Sequence, residues 1–173
     1  MIHSATFQRL SIEDQYFSLA HGYLEGSRAL CVAMHNNDYA PHYSHTRVIL
    51  YLCRHAVELF LKGAISNATK GQLIPTHHLA HLVAEYERVL PSPEFRFHVP
   101  FGIESPGTPD LFADLVDHFH KTLDQRYRYP TDFKGKPFSE PAGFILDTFM
   151  SDLDALSKAF VQVEFRLKAV QGG

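Results

Sequence analysis

Between about residues 45 and 66, the side chains of Ile49, Leu52, Cys53, Ala56, Val57, Leu59, Phe60, Leu61, Ala64 and Ile65 cover most directions around a helical axis. A helix that is apolar on nearly every side belongs at the centre of a packed domain, so other helices must surround it. One narrow stripe breaks the pattern. Arg47, Tyr51, Arg54, Glu58 and Lys62 follow one another at steps of four, three, four and four, which aligns them on a single face and lets Glu58 pair with both Arg54 and Lys62. If that face is covered, each charge needs a partner, because an unpaired buried ion costs several kcal/mol.

The rest of the chain supplies the covering elements. Ser11 followed by Asp14 reads as a helix cap with an acidic first turn, and apolar positions then recur at helical spacing, predicting a first helix over about 12–35. Asn36, Asn37, Asp38 and Pro41 form a link, and Ser44 or His45 opens the central helix. Thr76 is a candidate cap for a third helix, His77 to Leu90, with Leu79, Leu82, Val83, Tyr86 and Val89 as its buried stripe. The prolines and glycines between 91 and 109 predict an ordered loop, although Phe95, Phe97, Val99, Phe101 and Ile103 alternate as in a short strand. A fourth helix is expected over Asp110 to Gln125. Arg126 to Phe138 follows as an irregular segment with a turn at Lys134 to Pro137. The last helix begins near Pro141, and Ile145, Phe149, Leu153, Leu156, Phe160, Val163 and Leu167 give it one amphipathic face.

The fold expected is therefore all-α, an antiparallel up-and-down bundle of about five helices with two ordered irregular segments, about 91–109 and 126–140. No repeat or change in composition divides the chain, so residues 1–173 read as one domain. A chain of this length can bury roughly 70% of its unfolded surface, and its 45% hydrophobic content argues against disorder.

Composition also narrows function. A net charge of −3 gives no global attraction for nucleic-acid phosphate, so binding of that kind would need a local basic patch. Met1 to Leu10 lacks the apolar core of a leader, and no run approaches the ~18 apolar residues of a membrane span. A cytoplasmic protein with no membrane partner is expected. Cys31 and Cys53 sit in apolar helical runs as small hydrophobes, and neither has a compelling nucleophile setting. Gly-rich phosphate loops, hydrolase elbows and kinase signatures are absent from the sequence.

Twelve histidines invite a metal reading. His77 and His81 share a helical face, but a site would need His118 and His120, or His42 and His45, to complete it, and no acidic ligand lies close by. No metal and no cofactor are expected. Arg126, Tyr127, Arg128 and Tyr129 alternate cations with rings as a single-stranded nucleic-acid surface does, and Phe95, Arg96, Phe97 and His98 repeat the theme. A loop that buries its aromatics and exposes its cations has the same pattern.

Arg54-His55-Ala56-Val57-Glu58-Leu59-Phe60-Leu61-Lys62-Gly63, then His78, Leu79 and Leu82, then Arg128-Tyr129-Pro130, resemble in order and placement the HEPN superfamily, in particular its uncharacterised bacterial members. The resemblance extends loosely over about residues 12–170. It implies an antiparallel helical bundle, often a homodimer, in a superfamily rich in ribonucleases of toxin-antitoxin and phage-defence systems. Nuclease members carry Arg, four to six residues, then His. Only Arg28 and His35 meet that spacing here, and they lie in the first helix rather than a later one, as an accidental match would.

The expected function is that of a HEPN-like accessory protein binding RNA, a nucleotide or a partner protein such as an antitoxin. Arg54, Glu58, Lys62, His78, Arg128 and Tyr129 form the expected ligand-binding set, with Glu58 orienting the cations around a phosphate or carboxylate. Two enzymatic alternatives remain open. One is a metal-independent endoribonuclease using Arg54, His55, Arg128 or a neighbouring His; the other is a metal-dependent hydrolase built on the histidines. For the charged stripe, an internal ion-pair network that holds helix register is the alternative to a ligand site.

Overall fold

A computed structural model describes residues 4–100, 125–132, 134–138 and 144–171. Among these residues the regular structure is helical, with a short α1 (Ser4–Phe7) and four long helices: α2 (Ile12–His35), α3 (Tyr43–Ala68), α4 (Leu79–Val89) and α5 (Leu146–Gln171). All but the last residue of the helix expected over 110–125, the start expected near Pro141 and the alternating positions Phe101 and Ile103 lie outside the described residues.

Local chemistry accounts for the helix ends. The Ser11 hydroxyl accepts a hydrogen bond from the Asp14 amide at 3.1 Å, satisfying one of the unpaired donors of the first turn of α2, and Glu13 and Asp14 face the positive end of its dipole. Asn37, at φ 64°, turns the chain out of that helix. α3 starts at Tyr43, slightly before the expected Ser44 or His45, with His42 as the cap residue. α4 starts two residues later than expected because Thr76 does not cap it: the Thr76 hydroxyl takes the His78 amide at 3.2 Å, which keeps His77 in the link and makes His78 the cap residue.

α2 runs antiparallel to both α5 and α3, as the pairings show. Asp14 meets Lys168 at 3.2 Å, His21 meets Glu164, and Arg28 meets Asp154 at 2.8 Å, so α2 rises as α5 descends. Between α2 and α3, Phe17 approaches Gly63 and the Ser27 hydroxyl donates to the Ile49 carbonyl at 2.9 Å. Gly63 allows a close approach of these two helices. A Cβ there would stand 3.0 Å from Tyr16 Cβ and from Phe17 Cε1, so a side chain would force the axes apart.

α3 is the buried axis, with fourteen of its residues withdrawn from solvent. Phe60 stacks on Phe160 of α5 with centroids 3.7 Å apart, and Phe17 and Phe97 pack against the same ring. The first irregular segment contributes to this core. After a 3-10 turn at Pro93–Phe95 the chain is extended, with Phe95 and Val99 buried, but it forms no strand among the described residues. In the second, Gly135 at φ 78° and the Asp132 carboxylate, which accepts from the Lys134 and Lys136 amides, build the expected turn. No helix among the described residues is long and apolar enough to cross a membrane.

Candidate functional site

The stripe on α3 is a closed ion cluster centred on Glu58. Helical spacing puts Arg54 one turn before the carboxylate and Lys62 one turn after it. Arg54 Nη1 donates to Glu58 Oε2 at 2.8 Å, and Lys62 Nζ donates to Oε1 at 2.9 Å. The link before α4 closes the cluster from outside the helix. His77 Nδ1 lies 2.7 Å from Glu58 Oε1, and Arg54 Nη2 donates to the His77 carbonyl. His55 Nδ1 stands 3.8 Å from Oε2.

Burial sets the energetics. The Arg54 and Glu58 side chains are 3% and 2% exposed, Lys62 is 12% exposed, and His77 reaches solvent at 71%. Burial by itself would raise the Glu58 carboxyl, but His55, Lys62 and the charge of Arg54 outweigh it and hold the group well below the usual carboxylate range. Glu58 is therefore an anion whose charge is matched within the fold. Arg54 and Lys62 are committed to it, and Arg54 Nε has no hydrogen-bond partner in its buried position.

His78, expected in the ligand-binding set, does not join the cluster. It caps α4 with its ring 5.2 Å from His81, while its neighbour His77 makes the contact. Arg128 and Tyr129 reach the same face of α3, but nearer the N-terminal end of the stripe. Arg128 lies over the Tyr51 ring at 6.0 Å and over the Tyr129 ring at 5.4 Å. Arg47 donates to the Tyr129 carbonyl at 2.6 Å and to the Tyr43 hydroxyl at 2.7 Å. The expected set thus divides into a buried part, Arg54, Glu58 and Lys62 closed by His77, and an outer part, Arg128 and Tyr129 on Tyr51 and Arg47.

The outer part is a cationic and aromatic surface. Tyr51 stacks parallel to His55 with centroids 5.8 Å apart, and Tyr23 of α2 meets the other side of His55 edge-on at 4.6 Å. Burial lowers the pKa of both Arg47 and Arg126, and for Arg126 the like charge of Arg47 adds to the effect. Burial also pushes the Tyr127 hydroxyl up to about 12. Sequence reasoning placed Arg47 on the stripe without giving it a role. It named His55 only as a possible catalytic group and did not find Tyr23, whose stacking on His55 depends on the crossing of α2 and α3.

Other sequence candidates are dispersed. Arg28 and His35 pair with Asp154 and Asp147 of α5 on the surface, at 2.8 and 3.7 Å. Among the described residues no group of three or more His, Cys, Asp or Glu could hold a metal ion. Cys31 and Cys53 are buried and free, and burial raises both thiols, Cys31 to about 11. No protein-family model, curated protein or solved structure matches this chain.

Proposed function

We infer that this chain is a HEPN-like accessory protein that binds single-stranded RNA on the outer face of α3, in a cytoplasmic toxin-antitoxin or phage-defence setting. The observation that carries this reading is the assembly of Arg47, Tyr51 and His55 of α3 with Arg128 and Tyr129 of a distant segment onto one face. Guanidinium groups recognise phosphate oxygens through paired donors, and exposed rings stack on bases of any sequence. The Arg54–Glu58–Lys62–His77 cluster acts as the support beneath this face, its carboxylate paired on both oxygens and its register fixed.

Homodimerisation belongs to the same proposal. It is supported by the exposed apolar pair Val161 and Phe165 on α5, and sedimentation velocity that finds only monomer at tens of micromolar would remove it.

Fluorescence anisotropy with a labelled single-stranded RNA 12-mer tests the binding. Affinity should fall with salt at a log-log slope of about −0.7 for each phosphate contacted. Tyr129→Ala retains the backbone carbonyl that Arg47 uses, so it should remove stacking without disturbing the arginine, at a cost of about 1–3 kcal/mol. An RNA affinity that is absent at 50 mM salt, or indifferent to both Tyr129→Ala and Arg128→Ala, would overturn the assignment.

A further inference from the structure

A second site lies at the opposite end of α3. Its C-terminal turn, the end of α4, the 3-10 turn and α5 enclose a cleft of about 600 Å³ lined by Asn67, Lys70, Val89, Leu90, Phe95 and Leu167. That volume is in the range of small-molecule sites, and the lining separates by chemistry. Val89, Leu90, Phe95 and Leu167 supply apolar lining, while Asn67 and Lys70 border the cleft from the α3 end.

The backbone gives an independent reason to single out Lys70. It adopts φ 57°, a left-handed conformation that costs a side-chain-bearing residue of this kind about 1–3 kcal/mol and that glycine adopts without strain. Gly71 follows at φ 104° and completes the cap, its amide bonding the Ser66 carbonyl at 2.8 Å. The fold therefore keeps a lysine, at a conformational cost, in the position of the turn that borders the cleft. The amides of Thr69, Lys70 and Gly71 occupy the carbonyls of Ile65, Asn67 and Ser66, which limits the repulsion a negative group would meet at this helix end.

We propose that this cleft binds a free amphipathic monocarboxylate, with its apolar chain on Phe95, Val89, Leu90 and Leu167 and its carboxylate on the Lys70 ammonium. The site is distinct from the Arg47–Arg128 face and does not depend on RNA binding there.

Titration of ¹⁵N-labelled full-length protein with decanoate, decanol and decyltrimethylammonium, followed by amide chemical shifts, tests the proposal. Decanoate should bind about tenfold more tightly than decanol, the share expected of a hydrogen bond to a charged group, and shift residues 67–70 and 89–90. Lys70→Met should abolish the preference for decanoate while leaving decanol binding in place. Ala68 lines the same cleft and is exposed, so Ala68→Phe should fill the entrance and block both ligands without disturbing the fold. No binding of decanoate, equal binding of the three probes, a preference that survives Lys70→Met, or binding untouched by Ala68→Phe would each overturn it.

Discussion

Replacing Glu58 by glutamine preserves the shape of the side chain and removes its charge. Arg54 then faces an amide instead of a carboxylate at 2.8 Å, and if the amide nitrogen takes that position, a donor meets a donor. The Arg54 side chain is 3% exposed and cannot turn to water, so its remaining bond is to the His77 carbonyl. Removing one partner of a buried pair costs about 3–5 kcal/mol, a large part of the roughly 5–15 kcal/mol that holds a domain together. Arg54→Met alone should cost less, because Glu58 keeps Lys62 and His77. The double variant Arg54→Met/Glu58→Gln should be more stable than Glu58→Gln, since it removes both buried charges and leaves Lys62 able to reach solvent. Urea unfolding followed by circular dichroism at 222 nm measures all four proteins. A loss below about 1 kcal/mol for Glu58→Gln, or a double variant whose loss equals the sum of the single changes, would refute the claim that these charges act as one buried unit.

Other consequences can be measured in the same system. Because Glu58 is held below its ordinary value in the folded state, its contribution is complete above the unfolded carboxylate value of about 4.3 and is lost as pH falls from there. Below about pH 4, wild-type stability should therefore drop more steeply than that of Glu58→Gln, by up to about 1.4 kcal/mol per pH unit; parallel curves would contradict this. Gly63→Val should destabilise the fold by about 1–3 kcal/mol through its clash with Tyr16 and Phe17, and an unchanged melting temperature would contradict the close approach of α2 and α3. Cys31 and Cys53 should resist Ellman's reagent at pH 8 until urea unfolds the chain; rapid native labelling would mean that the α2–α3 core opens readily.

The helices were legible where a periodic apolar face and a local cap coincide. Ser11 and Asp14 mark the start of α2 because the cap bond lies within four residues of sequence. The central position of α3 follows from its apolar coverage, and the Arg54–Glu58–Lys62 ladder follows from spacing along one helix. The site was less legible where one residue of register matters. Thr76 was read as the cap of α4, but its hydroxyl takes the His78 amide within the link, and this small change puts His77 rather than His78 against Glu58. Contacts that join distant segments left no sequence signal. The bond from Arg47 to the Tyr129 carbonyl spans 82 positions, and the placement of His55 between Tyr51 and Tyr23 depends on how two helices cross. Alternating Arg and Tyr in 126–129 indicated a cationic aromatic segment but not the face of the bundle on which it lies.

Photo-crosslinking of 4-thiouridine-containing single-stranded RNA to the intact protein, with peptide mapping by mass spectrometry, tests the binding face most directly. Crosslinks should concentrate on Tyr51, His55 and Tyr129 and disappear at high salt. Crosslinks confined to α5 or to the link before α4, or unchanged as salt rises, would contradict the assignment of RNA to the arginine-tyrosine face of α3.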